Sequence, residues 1–280
     1  SILIPAYNEV GGIDQTLAQV QKALASIPFD SEILVIDDGS TDGTAEKIPG
    51  TVRLIRHERN RGYGAALKTG LIESEGDVIV ILDADLTYPP ERIPELLDRL
   101  VDRDMVVGAR TGATVHIPMI RRPAKWFLNQ LANRVAGQKI PDLNSGLRVF
   151  RREIAMKYFH LFPDGFSFTT TITLASLCDG HRVEFIPIDY TKRSGKSKSR
   201  PLRDTFNFIV LIIRMAAYFE PLRVFLPVSF FSGFISLAML GYYFYKDGGI
   251  SDAGVLACMF TLMIFMMGIL ADLVVRRSRS

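Results

Sequence analysis

Two stretches near the C-terminal end, Val224 to Tyr245 and Ala253 to Ala271, contain no charged residue. A helix of about 20 apolar residues crosses a hydrocarbon core of roughly 30 Å, and a buried helix of a soluble protein rarely stays uncharged for so long. Lys246-Asp247-Gly248-Gly249 between them reads as a turn, so the two runs make a transmembrane helical hairpin. Arg214 and Arg223 precede it and Arg276, Arg277 and Arg279 follow it, whereas the connecting loop offers only Lys246 beside two aspartates. The positive-inside rule then places the region before the hairpin and the C-terminus in the cytoplasm. The expected organisation is an α/β domain over residues 1–199, an interfacial amphipathic helix over 200–222, and the hairpin over 223–280, with spans at about 224–245 and 253–275.

Two further segments suit a membrane surface. Arg203 to Glu220 is apolar except for Arg203, Asp204, Thr205, Asn207 and Arg214. Residues 203, 207 and 214 share one helical face, which leaves the rest for the headgroup boundary. Ile120 to Ala136 carries Arg121, Arg122, Lys125 and Arg134, with Phe127, Leu131 and Val135 at four-residue spacing and the single tryptophan, Trp126, among them. An ordinary surface helix and an interfacial one fit that pattern equally.

Ahead of Arg200 the chain alternates short apolar runs with helical patterns. Ile2-Leu3-Ile4, Ile33 to Ile36, Val52 to Ile55, Val78 to Leu82 and Met105-Val106-Val107 are expected strands. Thr16 to Ala25, Gly64 to Glu73 and Ile93 to Val101 carry apolar residues at helical spacing. Strands alternating with helices predict a mainly parallel sheet covered on both faces. Ligands of such sheets sit beyond the carboxyl ends of the strands. Asn8-Glu9, Asp37-Asp38 and Asp83-Asp85 each follow a strand run, so three polar loops converge on one rim. The two cysteines, Cys178 and Cys258, form neither a metal knuckle nor a disulfide framework, which suits a reducing compartment. No signal peptide is visible ahead of Ser1-Ile-Leu-Ile-Pro5. The net charge of +3 is mild, and nucleic acid is not an expected partner.

The segment VIVILDADLTYPP, Val78 to Pro90, ends an apolar run in two aspartates one residue apart. Such carboxylates repel unless something neutralises them. Alternate residues of an extended tail point apart, but a turn brings both around one ion. Mg²⁺ and Mn²⁺ take hard oxygen ligands and share them with a nucleotide's phosphates. A solvated turn with capping aspartates is the alternative.

Pro5-Ala-Tyr-Asn-Glu9, Ile36-Asp-Asp-Gly-Ser-Thr-Asp-Gly-Thr44, Asn60-Arg-Gly-Tyr-Gly-Ala-Ala-Leu67 and Asp83-Ala-Asp-Leu86 occur in this order. Together they resemble the nucleotide-sugar half of the family-2 glycosyltransferases. Asn144-Ser-Gly-Leu-Arg148 and Arg193-Ser-Gly-Lys-Ser-Lys198 extend the likeness to dolichol-phosphate mannose synthases and polyprenyl-phosphate glucosyltransferases, which load a sugar onto a lipid phosphate. The resemblance implies an α/β, Rossmann-like GT-A catalytic domain followed by the interfacial helix and two spans. It also implies a UDP- or GDP-linked sugar as donor, a polyprenyl (dolichyl or undecaprenyl) phosphate as acceptor, and Mg²⁺ or Mn²⁺ as cofactor. A homo-oligomer is compatible with it. Pro5, Ala6, Tyr7 and Glu9 then line the nucleoside pocket, Glu9 accepting from ribose hydroxyls. Asp38 accepts from a ring N–H of the base, and Asp37 is a structural or ribose partner. Asp83 and Asp85 hold the ion against the diphosphate, with Ala84 between them, and Arg110 lies near the sugar phosphates. Arg193 and Lys198 reach phosphate oxygens, for which arginine forks are suited. Arg122 and Ser145 complete the acceptor-phosphate side, and Asp85, Asp142, Arg193 and Lys198 are the expected catalytic set. Gly62-Tyr63-Gly64 reads either as a phosphate loop or as room for tight packing.

The implied reaction is an inverting displacement at the anomeric carbon. A hydroxyl acceptor needs a base, for which Asp142 is the candidate. A lipid monophosphate, with a second pKa near ~6 like other phosphomonoesters, needs none. The chain departs from its relatives after Asp85, where Thr87 and Tyr88 stand in place of a metal-side glutamine. Transfer to a hydroxyl of a lipid-linked sugar and an inactive membrane scaffold are the alternatives; a processive synthase is set aside because no Q-x-x-R-W motif occurs.

Overall fold

The computed structural model describes residues 1–111, 122–165, 167–191 and 201–279, with the side chains of residues 122–128, 201–206, 247, 278 and 279 outside that description. The chain divides into two units, Ser1–Phe208 and Ile209–Ser280.

The five expected strands form as β1 (Ile2–Ala6), β2 (Ile33–Asp37), β3 (Arg53–Arg56), β4 (Val78–Ile81) and β5 (Met105–Ala109). Two more, β6 (Arg148–Arg151) and β7 (Val183–Pro187), join them in one sheet of order β3-β2-β1-β4-β6-β5-β7. Every pairing is parallel except those of β6, which runs antiparallel between β4 and β5. Arg-Val-Phe-Arg is too short and too charged at its ends to stand out as a strand in the sequence.

Helices α1 (Ile13–Leu24), α2 (Tyr63–Glu73) and α3 (Ile93–Arg99) fall on the expected segments, and α4 (Arg122–Ala136), α5 (Arg152–Lys157) and α6 (Phe168–Cys178) complete the unit. Strand alternation divides the core. Ile2, Ile4 and Ala6 of β1 join Ile13, Leu17 and Val20 of α1 and Ile93 and Leu96 of α3. Leu3 and Ile36 face the opposite layer, where a Cβ on Gly70 of α2 would lie 2.8 Å from Ile36 Cδ1. Each buried aliphatic side chain stabilises this packing by roughly 1.5–3 kcal/mol. The chain runs outward from β1 through β2 to β3, then returns to place β4 on the other side of β1. The loops leaving β1 and β4 therefore part at a topological switch point, which opens a crevice at the carboxyl edge.

Helix α7 (Pro201–Phe219) begins in the first unit and ends in the second, followed by α8 (Pro221–Asp247) and α9 (Asp252–Arg279). Within the second unit, Pro221–Lys246 and Asp252–Arg277 reach mean hydropathies of 1.9 and 2.4 with only 11% of each apolar window buried, unlike core helices of a soluble fold. They extend past the expected spans at both ends. Ser232 and Ser236 of α8 share hydrogen bonds with Thr261 of α9 at 2.8 and 3.2 Å. Gly254 lies against Leu240 and Gly268 against Phe225, where an added Cβ would come within 2.6 Å of each side chain. Small residues at such contacts let membrane helices approach closely. On α7, Leu211, Ile212, Met215 and Phe219 are buried while Val210, Ile213 and Tyr218 remain exposed, leaving an apolar face uncovered.

Candidate active site

The loop after β1 is fixed by the loop after β2. Asn8 adopts φ 55°, and its backbone N–H donates to Ser40 Oγ at 2.9 Å. Glu9 N–H donates to Thr44 Oγ1 at 2.9 Å and Val10 N–H to Asp42 Oδ2 at 3.2 Å, while Asn8 Oδ1 accepts from Thr41 N–H. The Ser40-to-Thr44 half of the acidic motif thus supplies three acceptors and one donor to the Asn8–Val10 turn. Pro5 and Ala6 are buried at the end of β1, and Tyr7 and Glu9 are half-exposed on the rim.

Asp37 and Asp38 both lie inside. Asp37 Oδ1 accepts from Ser40 N–H at 3.0 Å; Arg56 Nε approaches Oδ2 at 3.3 Å but without hydrogen-bond geometry. Asp38 Oδ1 accepts from Arg61 N–H at 2.9 Å and contacts His57 Nδ1 at 2.7 Å, and Oδ2 accepts from Gly62 N–H at 2.8 Å. His57 Nε2 lies 3.0 Å from Thr69 Oγ1. Asp38, expected to face a nucleobase, is instead engaged as a clamp on the turn that starts α2.

The same turn decides the reading of Gly62 and Gly64. Gly64 N–H donates to Gly165 O at 3.2 Å and Ala65 N–H to Asp164 O at 3.0 Å. A Cβ on Gly64 would lie 2.8 Å from Gly165 O, and Gly62 sits at φ 106° against Asp164. The first N–H groups of α2 already serve carbonyls of the chain, so these glycines give close packing and not a phosphate loop.

Asp83 and Asp85 are half-buried on the turn after β4. Asp83 Oδ1 accepts from the Tyr63 hydroxyl at 2.9 Å. Burial and the Asp83 carboxylate push the Tyr63 phenol well above its ordinary value, so it stays a donor. Asp85 Oδ1 accepts from the Thr87 hydroxyl at 2.5 Å and from Thr87 N–H at 3.2 Å. Leu86 lies in the left-handed region at φ 61°, which turns the chain sharply behind Asp85. Thr87, which stands where relatives carry a metal-side glutamine, therefore orients Asp85. Tyr88 is buried, and its hydroxyl accepts from Gly146 N–H at 2.7 Å. Ala84 faces inward, its carbonyl accepting from Thr16.

Gly146 closes the back of this site: a Cβ there would lie 2.5 Å from Asp83 Cγ and 2.7 Å from Oδ1. Among the described residues no group of three or more His, Cys, Asp or Glu could hold an ion by itself. Two hard carboxylates on one turn have the oxygen-donor chemistry that Mg²⁺ or Mn²⁺ takes.

Arg110, just beyond β5, grips Asp142 as a fork, with Nε to Oδ2 at 2.7 Å and Nη2 to Oδ1 at 2.9 Å. Arg110 N–H and Asn144 N–H add bonds of 3.0 and 3.1 Å to the same carboxylate. Burial alone pushes the Asp142 carboxyl up, but the Arg110 fork and the backbone donors more than offset it and hold the group below the usual carboxylate range. Ser145, expected at the acceptor phosphate, is fully buried; its hydroxyl donates to Gly108 O at 2.5 Å, which locks the loop to β5. Thr170 of α6 donates to Asn144 Oδ1.

Asp83, Asp85 and, through Tyr88 and Gly146, the Arg110–Asp142 pair thus gather at one rim. Arg122 begins α4 with its side chain outside the described set, and Arg193 and Lys198 lie outside the described residues. Tyr63, Gly146, His57 and Arg148 had no assigned role in the sequence. Tyr63, Gly146 and Arg148 did stand inside quoted motifs, and that was the available signal.

The glycosyl transferase family 2 profile matches residues 1–159, and the GtrB C-terminal hairpin profile matches residues 220–276. The chain belongs to glycosyl transferase family 2 and is a membrane protein carrying that hairpin. An undecaprenyl-phosphate 4-deoxy-4-formamido-L-arabinose transferase of Pseudomonas fluorescens is 32% identical over 82% of this chain and 68% of its own length. A dodecaprenyl-phosphate galacturonate synthase of Rhizobium johnstonii is 26% identical over 99% of this chain and 87% of its own. Among solved structures, glucosyl-3-phosphoglycerate synthase of Mycobacterium tuberculosis in complex with Mn²⁺, UDP and phosphoglyceric acid superposes with a TM-score of 0.61 at 18% identity, over 77% of each chain. At that identity the likeness establishes the fold, and the expected α/β GT-A architecture with a helical C-terminus is the observed one.

Proposed function

We propose that the chain moves a hexose-type sugar, with inversion, from a UDP- or GDP-sugar to a polyprenyl phosphate. The undecaprenyl- and dodecaprenyl-phosphate enzymes among its relatives support the acceptor class. The observation that carries the choice of acceptor is the Arg110–Asp142 fork. A carboxylate held below its usual range by a guanidinium and two backbone donors is a poor base. An acceptor that arrives already anionic does not need one, whereas a hydroxyl does.

In this reading Tyr7 and Glu9 face the nucleoside, and Asp83 and Asp85 would hold a divalent ion, which would supply charge neutralisation to a diphosphate leaving group. Tyr63 and Thr87 fix the two carboxylates through the hydrogen bonds above. Asp142 orients Arg110, whose fork engages Nε and Nη2 and leaves Nη1 for phosphate oxygens. Arg122, Arg193 and Lys198 serve the acceptor phosphate. Residues 1–199 form the catalytic domain, residues 200–222 lie at the interface, and the hairpin over 223–280 keeps the catalytic domain and the C-terminus on the cytoplasmic side, as the arginines flanking it favour.

The test is a panel of radiolabelled UDP- and GDP-sugars given to the purified full chain in detergent with Mn²⁺ and undecaprenyl phosphate. Label is expected in an acid-labile lipid-phosphate sugar. Label appearing only on a hydroxyl acceptor overturns the reading.

A further inference from the structure

Arg148 is fully buried on β6, yet among the described residues it makes no ion pair. Nε and Nη2 donate to the Ser145 carbonyl at 3.2 and 2.5 Å, and Nη1 donates to the Thr169 carbonyl and the Thr173 hydroxyl at 2.8 and 2.9 Å. Every acceptor is neutral. A guanidinium taken out of water without a carboxylate partner is costly, and an apolar residue with the same packing would serve the core better. The charge therefore calls for an explanation outside the packing. Burial lowers the Arg148 pKa to about 10, which leaves the group cationic at neutral pH. The groups coupled to this charge are Tyr63, Asp142, Tyr88 and Asp83, which include both acids of the rim on this side. The peptide it grips carries Gly146, the residue seated against the Asp83 carboxylate.

We infer that Arg148 is a positioning residue that gives the donor site a fixed, buried positive charge, favouring the diphosphate and opposing a divalent ion bound without it. This rests on the reading of Asp83 and Asp85 as the donor site. It would tie the ion to the nucleotide: metal alone binds weakly, and nucleoside diphosphate draws it in. The Thr169 carbonyl and the Thr173 hydroxyl of α6 satisfy the guanidinium without neutralising it, which a carboxylate at position 173 would do.

Thr173→Asp and Thr173→Asn separate charge from scaffolding. Both side chains offer Nη1 an oxygen and are nearly equal in size, but only the aspartate neutralises Arg148. In the full chain, Mn²⁺ alone is titrated by electron paramagnetic resonance, and UDP and GDP without metal by calorimetry. Thr173→Asp is expected to bind Mn²⁺ about tenfold more tightly and nucleoside diphosphate about tenfold more weakly, the scale of one buried charge at an effective dielectric of about 20. Thr173→Asn stays near wild type in both. Identical behaviour of the two variants, or loss of both ligands in Thr173→Asp, overturns the inference. If neither variant folds, Arg148→Met decides: tighter Mn²⁺ binding supports the charge, and weaker binding of both ligands shows a scaffold only. A wild type that binds neither diphosphate even with Mn²⁺ removes the donor-site reading and this inference with it. A wild type that binds them but loads no polyprenyl phosphate leaves the inference standing and removes only the acceptor.

Discussion

Replacing Gly146 with alanine tests whether the loop before β6 sets the position of Asp83. The backbone offers no objection, since Gly146 is not among the glycines at positive φ. The nearest atoms all belong to the Asp83 carboxylate, with Cγ at 2.5 Å and Oδ1 at 2.7 Å, where ordinary contact begins at 3.4 Å. The loop is held at three points: Tyr88 Oη on Gly146 N–H, Ser145 Oγ on Gly108 O, and Arg148 on Ser145 O. Asp83 meets it with the far end of a side chain that can rotate, bonded at Oδ1 to the Tyr63 hydroxyl. The carboxylate therefore yields, by about 1 Å, a displacement of the kind that costs about 10²-fold in a reacting geometry. Losing the Tyr63 bond to a charged acceptor costs about 1.5–3 kcal/mol, and a hundredfold rate loss corresponds to about 2.7 kcal/mol.

Initial rates of sugar transfer with Mn²⁺ should fall about a hundredfold in kcat/KM for Gly146→Ala. The melting temperature, followed by circular dichroism, should drop by only a few degrees. In an Asp83→Ala background the same substitution should cost nothing further, because the group it displaces is gone. Retention of more than about a third of wild-type activity, against the ~10²-fold loss expected for such a displacement, would refute the reasoning. So would a full additive loss in the double variant.

Asp85→Asn should abolish Mn²⁺-dependent turnover while leaving the fold intact by circular dichroism; unchanged turnover removes the metal role. Asp142 has its folded pKa below the ordinary value, so its contribution to stability is fully present above about pH 4 and drains away as pH falls through the lower folded value. Asp142→Asn should erase that acid-side slope in denaturant titrations between pH 2 and 6 and, by stranding Arg110, cost about 3 kcal/mol at neutral pH. Gly64→Ala, whose Cβ would run into the Pro163 carbonyl and lie 2.8 Å from Gly165 O, should lose about 3 kcal/mol or more of stability without changing the Mn²⁺·UDP or Mn²⁺·GDP affinity; an affinity loss at unchanged stability would restore the phosphate-loop reading. Thr261→Val should weaken the hairpin by about 0.6 kcal/mol in detergent unfolding, the usual worth of such a bond between membrane helices, and a loss several times larger would show that the Ser232–Ser236–Thr261 cluster does more than bridge the two.

The sheet was legible where a strand is an uninterrupted apolar run, as in Ile33 to Ile36 or Val78 to Ile81, because burial on both faces leaves no polar alternation to confuse the period. The hairpin was legible for a related reason, since charge exclusion over a membrane's thickness is a property of composition alone. Strand β6 was not, because Arg148 and Arg151 break the apolar signal and the pairing partners on β4 and β5 are remote in sequence. What that strand brings with it was hidden too.

The same non-locality explains why the rim residues were found and several of their roles were not. Asp38 and Ser145 were assigned outward, toward a base and a phosphate, and Thr87 was noted only as standing where relatives carry a metal-side glutamine. In the fold each has its side chain bonded to the chain within the turn or loop it stabilises: Asp38 to Arg61 and Gly62, Thr87 to Asp85, Ser145 to Gly108. A polar side chain beside a strand end must first satisfy the backbone groups that the turn leaves unpaired, and only a surplus of polar residues can face a ligand. Asn144-Ser-Gly-Leu-Arg148 shows the division inside one motif. Asn144 accepts from Thr170, Ser145 ties the loop to β5, Gly146 makes room for Asp83, and Arg148 holds the Ser145 carbonyl from beneath. The side chains of Asn144, Ser145 and Arg148 are all bonded within the chain, and together with the room left by Gly146 they fix where the Asp83 carboxylate can stand. A motif of this kind marks a site by its supports as much as by its contacts, and only the packing of β6 between β4 and β5 tells the two apart.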